Sequence, residues 1–246
     1  TEIYTLSLHD ALPISIPARE RLIVALDVPN FAAAQALVTQ LGDHVVFYKI
    51  GLELAMSRDY FALMDWLLAR DKRVFADLKL HDIPATIAAA VRNLSSSGAS
   101  FLTVHGERPV VEAAAANKGH DLRILAVTVL TSISDADLRE SGIERSVAEL
   151  ARLRARAALA AGCDGVIASG LEAADLRAAL GPGPLIVTPG IRASEVNRDD
   201  QKRTVTARQA LEAGADYVVV GRPIRAAADP ATAAAAIQTE IASVFA

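Results

Sequence analysis

Val74-Phe75-Ala76-Asp77-Leu78-Lys79-Leu80-His81-Asp82-Ile83-Pro84 begins apolar, turns charged and runs into a proline. Its first part, 74–78, reads as a strand buried on both faces. The stretch from Ile83 to Ser97 is amphipathic, and Pro84 sits where a helix can start. The whole is one strand-then-helix unit with charges at the carboxyl end of its strand. Side chains alternate along a strand, so Asp77 and Lys79 point to the same side.

Working outward, the same unit recurs along the chain. Strands are expected at 22–26, 45–50, 74–78, 101–104, 124–129, 166–168, 185–187 and 217–220. Between them lie helix candidates at 31–41, 60–70, 83–97, 110–118, 145–161, 171–180 and 207–213, with a last helix from 230 to 244. Eight strands, each followed by a helix, predict a single-domain α/β fold, the closed (β/α)8 TIM barrel. An open doubly wound sheet is the alternative. Gly98, Gly162, Gly181 and Gly214 follow helical segments, where the left-handed cap favours a residue without Cβ.

A chain of 246 residues that is 52% hydrophobic can bury one large core. No run approaches the ~20 apolar residues of a membrane span. A net charge of −4 leaves no basic excess for a nucleic-acid surface, though a small anion needs only a few local cations. The one cysteine, Cys163, cannot form an internal disulfide and suits a reducing, cytoplasmic setting; a buried, unreactive thiol is expected. Residues 1–14, TEIYTLSLHDALPI, match the rest poorly. They are the translation of a common short-read sequencing adapter, so the expectation is that this segment is not native and that the domain runs from 15 to 246.

In a barrel, functional residues gather at the carboxyl ends of strands. Those ends carry Asp27, Lys49, Asp77 with Lys79, His105, Thr131-Ser132, the run Thr188-Pro189-Gly190-Ile191-Arg192, and Gly221-Arg222-Pro223. Burying so many charges without a ligand or partners is costly, so the set points to a binding site. Lys49 can complete an alternating array of two lysines and two aspartates with Asp77, Lys79 and Asp82, in which each charge favours its opposite neighbours. The rim after strands seven and eight suits a phosphate, with Gly221 for close approach and Arg222 as a planar cation. The polar stretch 190–203, containing Arg192 and Gln201, has the length of a functional loop, and a lid over the phosphate is expected.

Six ordered phrases are similar to those of the orotidine 5′-monophosphate decarboxylase family in its common bacterial form. They are Val24-Ala25-Leu26-Asp27, Tyr48-Lys49-Ile50-Gly51, Asp77-Leu78-Lys79-Leu80-His81-Asp82-Ile83-Pro84-Ala85-Thr86, the run from Ala126 to Ser132, Val187 to Arg192, and Val220-Gly221-Arg222-Pro223. The resemblance implies loss of CO₂ from orotidine 5′-monophosphate with no cofactor and no metal. It makes Lys79 the general acid that protonates C6 and sets Asp77 beside the departing carboxylate, with Lys49 and Asp82 completing the array. Asp27 and Lys49 would hold ribose hydroxyls, and Thr131 the pyrimidine edge. Gln201, Gly221 and Arg222 would take the phosphate, with Arg192 on the closing loop. Ile83 and Pro189, within the same phrases, join the expected substrate-binding set. Asp82 and Thr86 would enter the neighbouring subunit's site, which implies a homodimer. The nearest rival is a Mg²⁺-dependent sugar-phosphate decarboxylase or aldolase of the same superfamily. Such relatives carry an acid where Lys49 stands, and a lysine there would repel the metal. A phosphosugar isomerase and a non-catalytic phosphate-binding barrel are more distant alternatives.

Overall fold

A computed structural model describes residues 16–192 and 205–245. The 1–14 segment and Gln201 therefore lie outside the described residues.

Eight parallel strands close into a barrel in chain order. They are β1 (Leu22–Ala25), β2 (Phe47–Gly51), β3 (Arg73–Leu80), β4 (Phe101–His105), β5 (Arg123–Val127), β6 (Gly165–Ile167), β7 (Leu185–Thr188) and β8 (Tyr217–Val220). Closure is made by β1 against β8, with Leu22 opposite Val218 and Val24 opposite Val220. The helices are α1 (Phe31–Leu41), α2 (Leu52–Ala55), α3 (Tyr60–Leu68), α4 (Pro84–Ser95), α5 (Arg108–Asn117), α6 (Asp135–Glu140), α7 (Val147–Ala160), α8 (Ala173–Leu180), α9 (Ala207–Glu212), α10 (Arg222–Arg225) and α11 (Pro230–Ala242). All eight expected strands and eight expected helices are present; α2, α6 and α10 are additional.

Local chemistry explains where these helices start. The Asn30 side chain accepts the Ala33 N–H at 3.0 Å and opens α1. Pro84 occupies the first turn of α4, where its missing N–H is not needed. Ser146 and Glu149 form a reciprocal capping box at α7, as Thr206 and Gln209 do at α9. Of the four glycines expected in left-handed turns, Gly162 and Gly214 both have φ +96°, Gly98 +84° and Gly181 +74°.

The strands divide their side chains between two cores. Leu22, Val24, Tyr48, Ile50, Val74 and Leu102 face outward into the helical layer. Ile23, Phe47, Phe75, Phe101, Leu125, Leu185, Tyr217 and Val219 face inward, joined by Ile16 from before β1. The aromatic rings among them are interlocked: Phe47–Phe101 centroids are 5.0 Å apart and Phe101–Tyr217 5.1 Å apart, the second pair edge-on. Such pairs add about 0.5–1.5 kcal/mol each beyond area burial. The barrel is thus filled, and anything bound must sit above this aromatic layer.

Candidate active site

The residues above the floor follow from strand parity. Two positions beyond Ala25, Phe47, Phe75 and Phe101 stand Asp27, Lys49, Asp77 and Thr103, all polar. On these four strands the interior changes from apolar to polar within one step.

These groups form a continuous array. Lys49 Nζ lies 3.0 Å from Asp27 Oδ1 and 3.3 Å from Asp77 Oδ2, and Lys79 Nζ lies 2.8 Å from Asp77 Oδ1. Within one chain the alternation is therefore Asp27, Lys49, Asp77, Lys79, with Asp27 in the place the sequence reading gave to Asp82. Gly51 makes room for it, since a Cβ there would come within 3.1 Å of Lys49 Nζ. Burial alone would raise the Asp77 pKa, but Lys49 and Lys79, with hydrogen bonds from Lys79 and Thr103, bring it below its ordinary value. Burial likewise opposes charge on Lys49, yet Asp77 and Asp27 hold its pKa above the ordinary value. Removing one partner from such a buried pair typically costs about 3–5 kcal/mol.

Lys79 arrives in the array by an irregular path. Its φ is +47°, in the left-handed region that non-glycine residues seldom occupy, and β3 is bulged against β4 between Ala76 and Leu80. Backbone strain of this kind is of order 1–3 kcal/mol and is retained where the surroundings dictate it, commonly at active sites. Here the Lys79 N–H donates to Thr103 Oγ1 at 3.0 Å, and that hydroxyl donates to Asp77 Oδ1 at 2.8 Å.

The array opens into a cavity of about 380 Å³, within the range of small-molecule sites. Its walls include Asp27, Lys49, Asp77, Lys79, Thr131, Pro189, Arg192, Gly221 and Arg222, so nine of the thirteen expected site residues share one cavity. Opposite the lysines, the ends of β7 and β8 supply a cationic rim. Arg192 is held there by its N–H bond to the Val205 carbonyl at 3.0 Å, beside an Ile191–Val205 bridge. A Cβ on Gly221 would stand 3.7 Å from Asp27 Oδ2, an ordinary van der Waals contact, so Gly221 lies against the Asp27 end of the array.

Asp82, Ile83 and Thr86 do not line the cavity. All three are exposed, Ile83 by 66%, and the Asp82 carboxylate accepts the Ile83 N–H at 2.7 Å. Gln201 lies outside the described residues. His105, at the end of β4, is not among the lining residues; its ring stacks on His81 at 4.8 Å. Two residues escaped the sequence reading. Arg225 lines the rim three positions after Arg222, and Thr103 occupies the mouth-facing parity of β4. Position was the only signal for either. Cys163 is buried, its thiol donating to the Gly165 carbonyl at 3.3 Å, and burial pushes its pKa up to about 12. Among the described residues, no group of three or more His, Cys, Asp or Glu is arranged to hold a metal ion.

Comparison with known proteins adds to this geometry. A family model described as "Orotidine 5'-phosphate decarboxylase / HUMPS family" matches residues 20–237. The orotidine 5′-phosphate decarboxylase of Methylococcus capsulatus is 57% identical over 233 residues, 94% of this chain and 96% of that protein. The one from Stenotrophomonas maltophilia is 55% identical over 235 residues, 95% of this chain and 98% of that protein. Among solved structures, orotidine 5′-phosphate decarboxylase from Lactobacillus acidophilus superposes with a TM-score of 0.78 at 36% identity, covering 90% of this chain and 99% of that one.

Proposed function

The chain belongs to the orotidine 5′-phosphate decarboxylase / HUMPS family, and from that premise we propose that it converts orotidine 5′-monophosphate to uridine 5′-monophosphate with Lys79 as proton donor. This is the last step of de novo pyrimidine synthesis. The observation that carries the assignment of roles is the unequal setting of the two lysines. Both lysines line the cavity, but the Lys49 side chain is 12% exposed and lies between two carboxylates, whereas that of Lys79 is 31% exposed and contacts one.

Loss of CO₂ leaves electron density at C6 in an orbital that the pyrimidine ring cannot readily delocalise. A fixed ammonium aimed at that carbon stabilises the charge and then delivers the proton. Asp77 orients Lys79 through their 2.8 Å contact and stands beside the departing carboxylate. Lys49 neutralises Asp77 and Asp27 and, with Asp27, holds the ribose hydroxyls. Thr131 and Pro189 flank the base, while Gly221, Arg222, Arg192 and Gln201 take the phosphate. Contacts remote from C6 supply binding energy that organises the array.

The active unit in this reading is a homodimer. Asp82 and Thr86 are exposed, and each subunit lends them to its partner's site. No helix among the described residues is long and apolar enough to cross a membrane, and the reading places the enzyme in the cytoplasm. It also takes residues 1–14 as adapter-derived, leaving 15–246 as the decarboxylase domain; an independently amplified genomic copy encoding that segment would refute this part.

No metal is assigned a role, because Lys49 Nζ already stands between the two carboxylates that a cation would need. The test follows the ultraviolet change of orotidine monophosphate with and without EDTA. Equal rates in both are expected. Loss on chelation would replace this mechanism with the Mg²⁺-dependent one, and no change under either condition would end the functional reading.

A further inference from the structure

At the start of β4, β3 and β4 pair in step, with Phe75 opposite Phe101 and Ala76 opposite Leu102. Pairing then resumes at Leu80 opposite Val104. Three residues of β3, namely Asp77, Leu78 and Lys79, are thus set against one residue of β4, Thr103. A bulge of this kind removes ladder hydrogen bonds and re-aims side chains. The backbone groups it frees must find other partners if they are buried.

Thr103 is fully buried and meets that need from its side chain. The Lys79 amide can only donate, so it uses a lone pair of the hydroxyl, at 3.0 Å. This leaves the single hydroxyl proton for Asp77 Oδ1, at 2.8 Å. The same carboxylate oxygen receives Lys79 Nζ at 2.8 Å. The result is a closed ring: Lys79 amide to Thr103 hydroxyl, hydroxyl to Asp77 carboxylate, and carboxylate to Lys79 ammonium. Both ends of the lysine are tied through one threonine.

We propose that Thr103 is a positioning residue for the decarboxylation, holding Lys79 in its left-handed backbone conformation and fixing the Asp77 carboxylate so that the ammonium faces the cavity. Thr103 does not line the cavity and has no role in proton transfer; it acts through the two residues it bridges. The proposal rests on the decarboxylase reading for its kinetic test.

Thr103→Val keeps the shape and removes the hydroxyl, whereas Thr103→Ser keeps the hydroxyl and removes a methyl group. If positioning is the role, the valine variant loses about tenfold to a hundredfold in kcat, the scale of a misplacement near 1 Å. Its KM stays within about threefold, because the phosphate rim is untouched, and the serine variant stays within about threefold of wild type in both. If Thr103 merely packs, the ranking reverses, with serine the weaker variant, and the proposal is overturned. Equal losses in both would overturn it too. Thr103→Ala replaces the valine variant should that fail to fold. Wild-type protein without turnover would refute the decarboxylase reading alone. The ring would then be tested by a crystal structure of Thr103→Val, in which Lys79 is expected to leave φ +47° or its contact with Asp77. Retention of both would contradict the proposal.

Discussion

Lys49 sits 3.0 Å from Asp27 and 3.3 Å from Asp77, and Lys79 sits 2.8 Å from Asp77, so each charge in the array has an opposite neighbour. Asp77 is held below its ordinary value of 3.8, and its contribution to stability is lost only as pH falls through that lower folded value. Lys49 is held above its ordinary 10.5, and its contribution is lost only as pH rises through the higher folded value. The Asp77–Lys49 pair is therefore ionised across the whole physiological range. His105 behaves differently. Burial holds its pKa below 6.5, Glu107 opposes this, and His81, Arg154 and Lys79 reinforce it. Below pH 6.5 the unfolded chain takes up a proton that the folded chain resists, so stability falls as pH drops toward the folded value. Between pH 7 and pH 5 the wild type is expected to lose more in Tm than His105→Gln. Parallel losses in thermal scans at the two pH values would contradict this.

The elements themselves rest on ordinary capping and burial, which can be tested apart from the chemistry. Ser146→Ala removes the capping box of α7 and should cost about 1 kcal/mol. For a chain of this size that is roughly 2–4 °C in Tm, and KM should not move; a KM change would mean that α7 supports the site directly. The long helices and the strands were legible because periodicity and apolar runs are strong signals over such lengths. Three short helices were not: α2 and α10 have four residues, barely one turn, and α6 has six. The bulge in β3 was also invisible. Asp77-Leu78-Lys79-Leu80 alternates like any regular strand, and nothing in the letters marks a lysine for φ +47°. Parity still put Asp77 and Lys79 in the mouth, but the backbone reaches that arrangement by an irregular route. Charged residues at strand ends announced the site because burying them needs a reason. Thr103 carried no such signal, since a threonine in a strand reads as a good β-former.

At the scale of the molecule, closure of the barrel turns eight strand ends into one cavity above an aromatic floor. The lysine array stands on β2 and β3, and the cationic rim follows β7 and β8 across the mouth. That separation suits a ligand with a reacting base at one end and a phosphate at the other. The exposed Asp82, Ile83 and Thr86 remain outside this cavity, and the proposed homodimer gives Asp82 and Thr86 a place in the partner's site. The most direct measurement of the account takes turnover of orotidine monophosphate by Lys79→Ala, by Asp82→Asn, and by the two variants co-expressed. Each alone should lose about a hundredfold or more. In a mixed dimer one of the two sites regains both native residues, so random pairing restores about a quarter of wild-type activity. Near-normal turnover by Lys79→Ala alone would remove Lys79 as the proton donor, and no recovery on co-expression would remove the shared site.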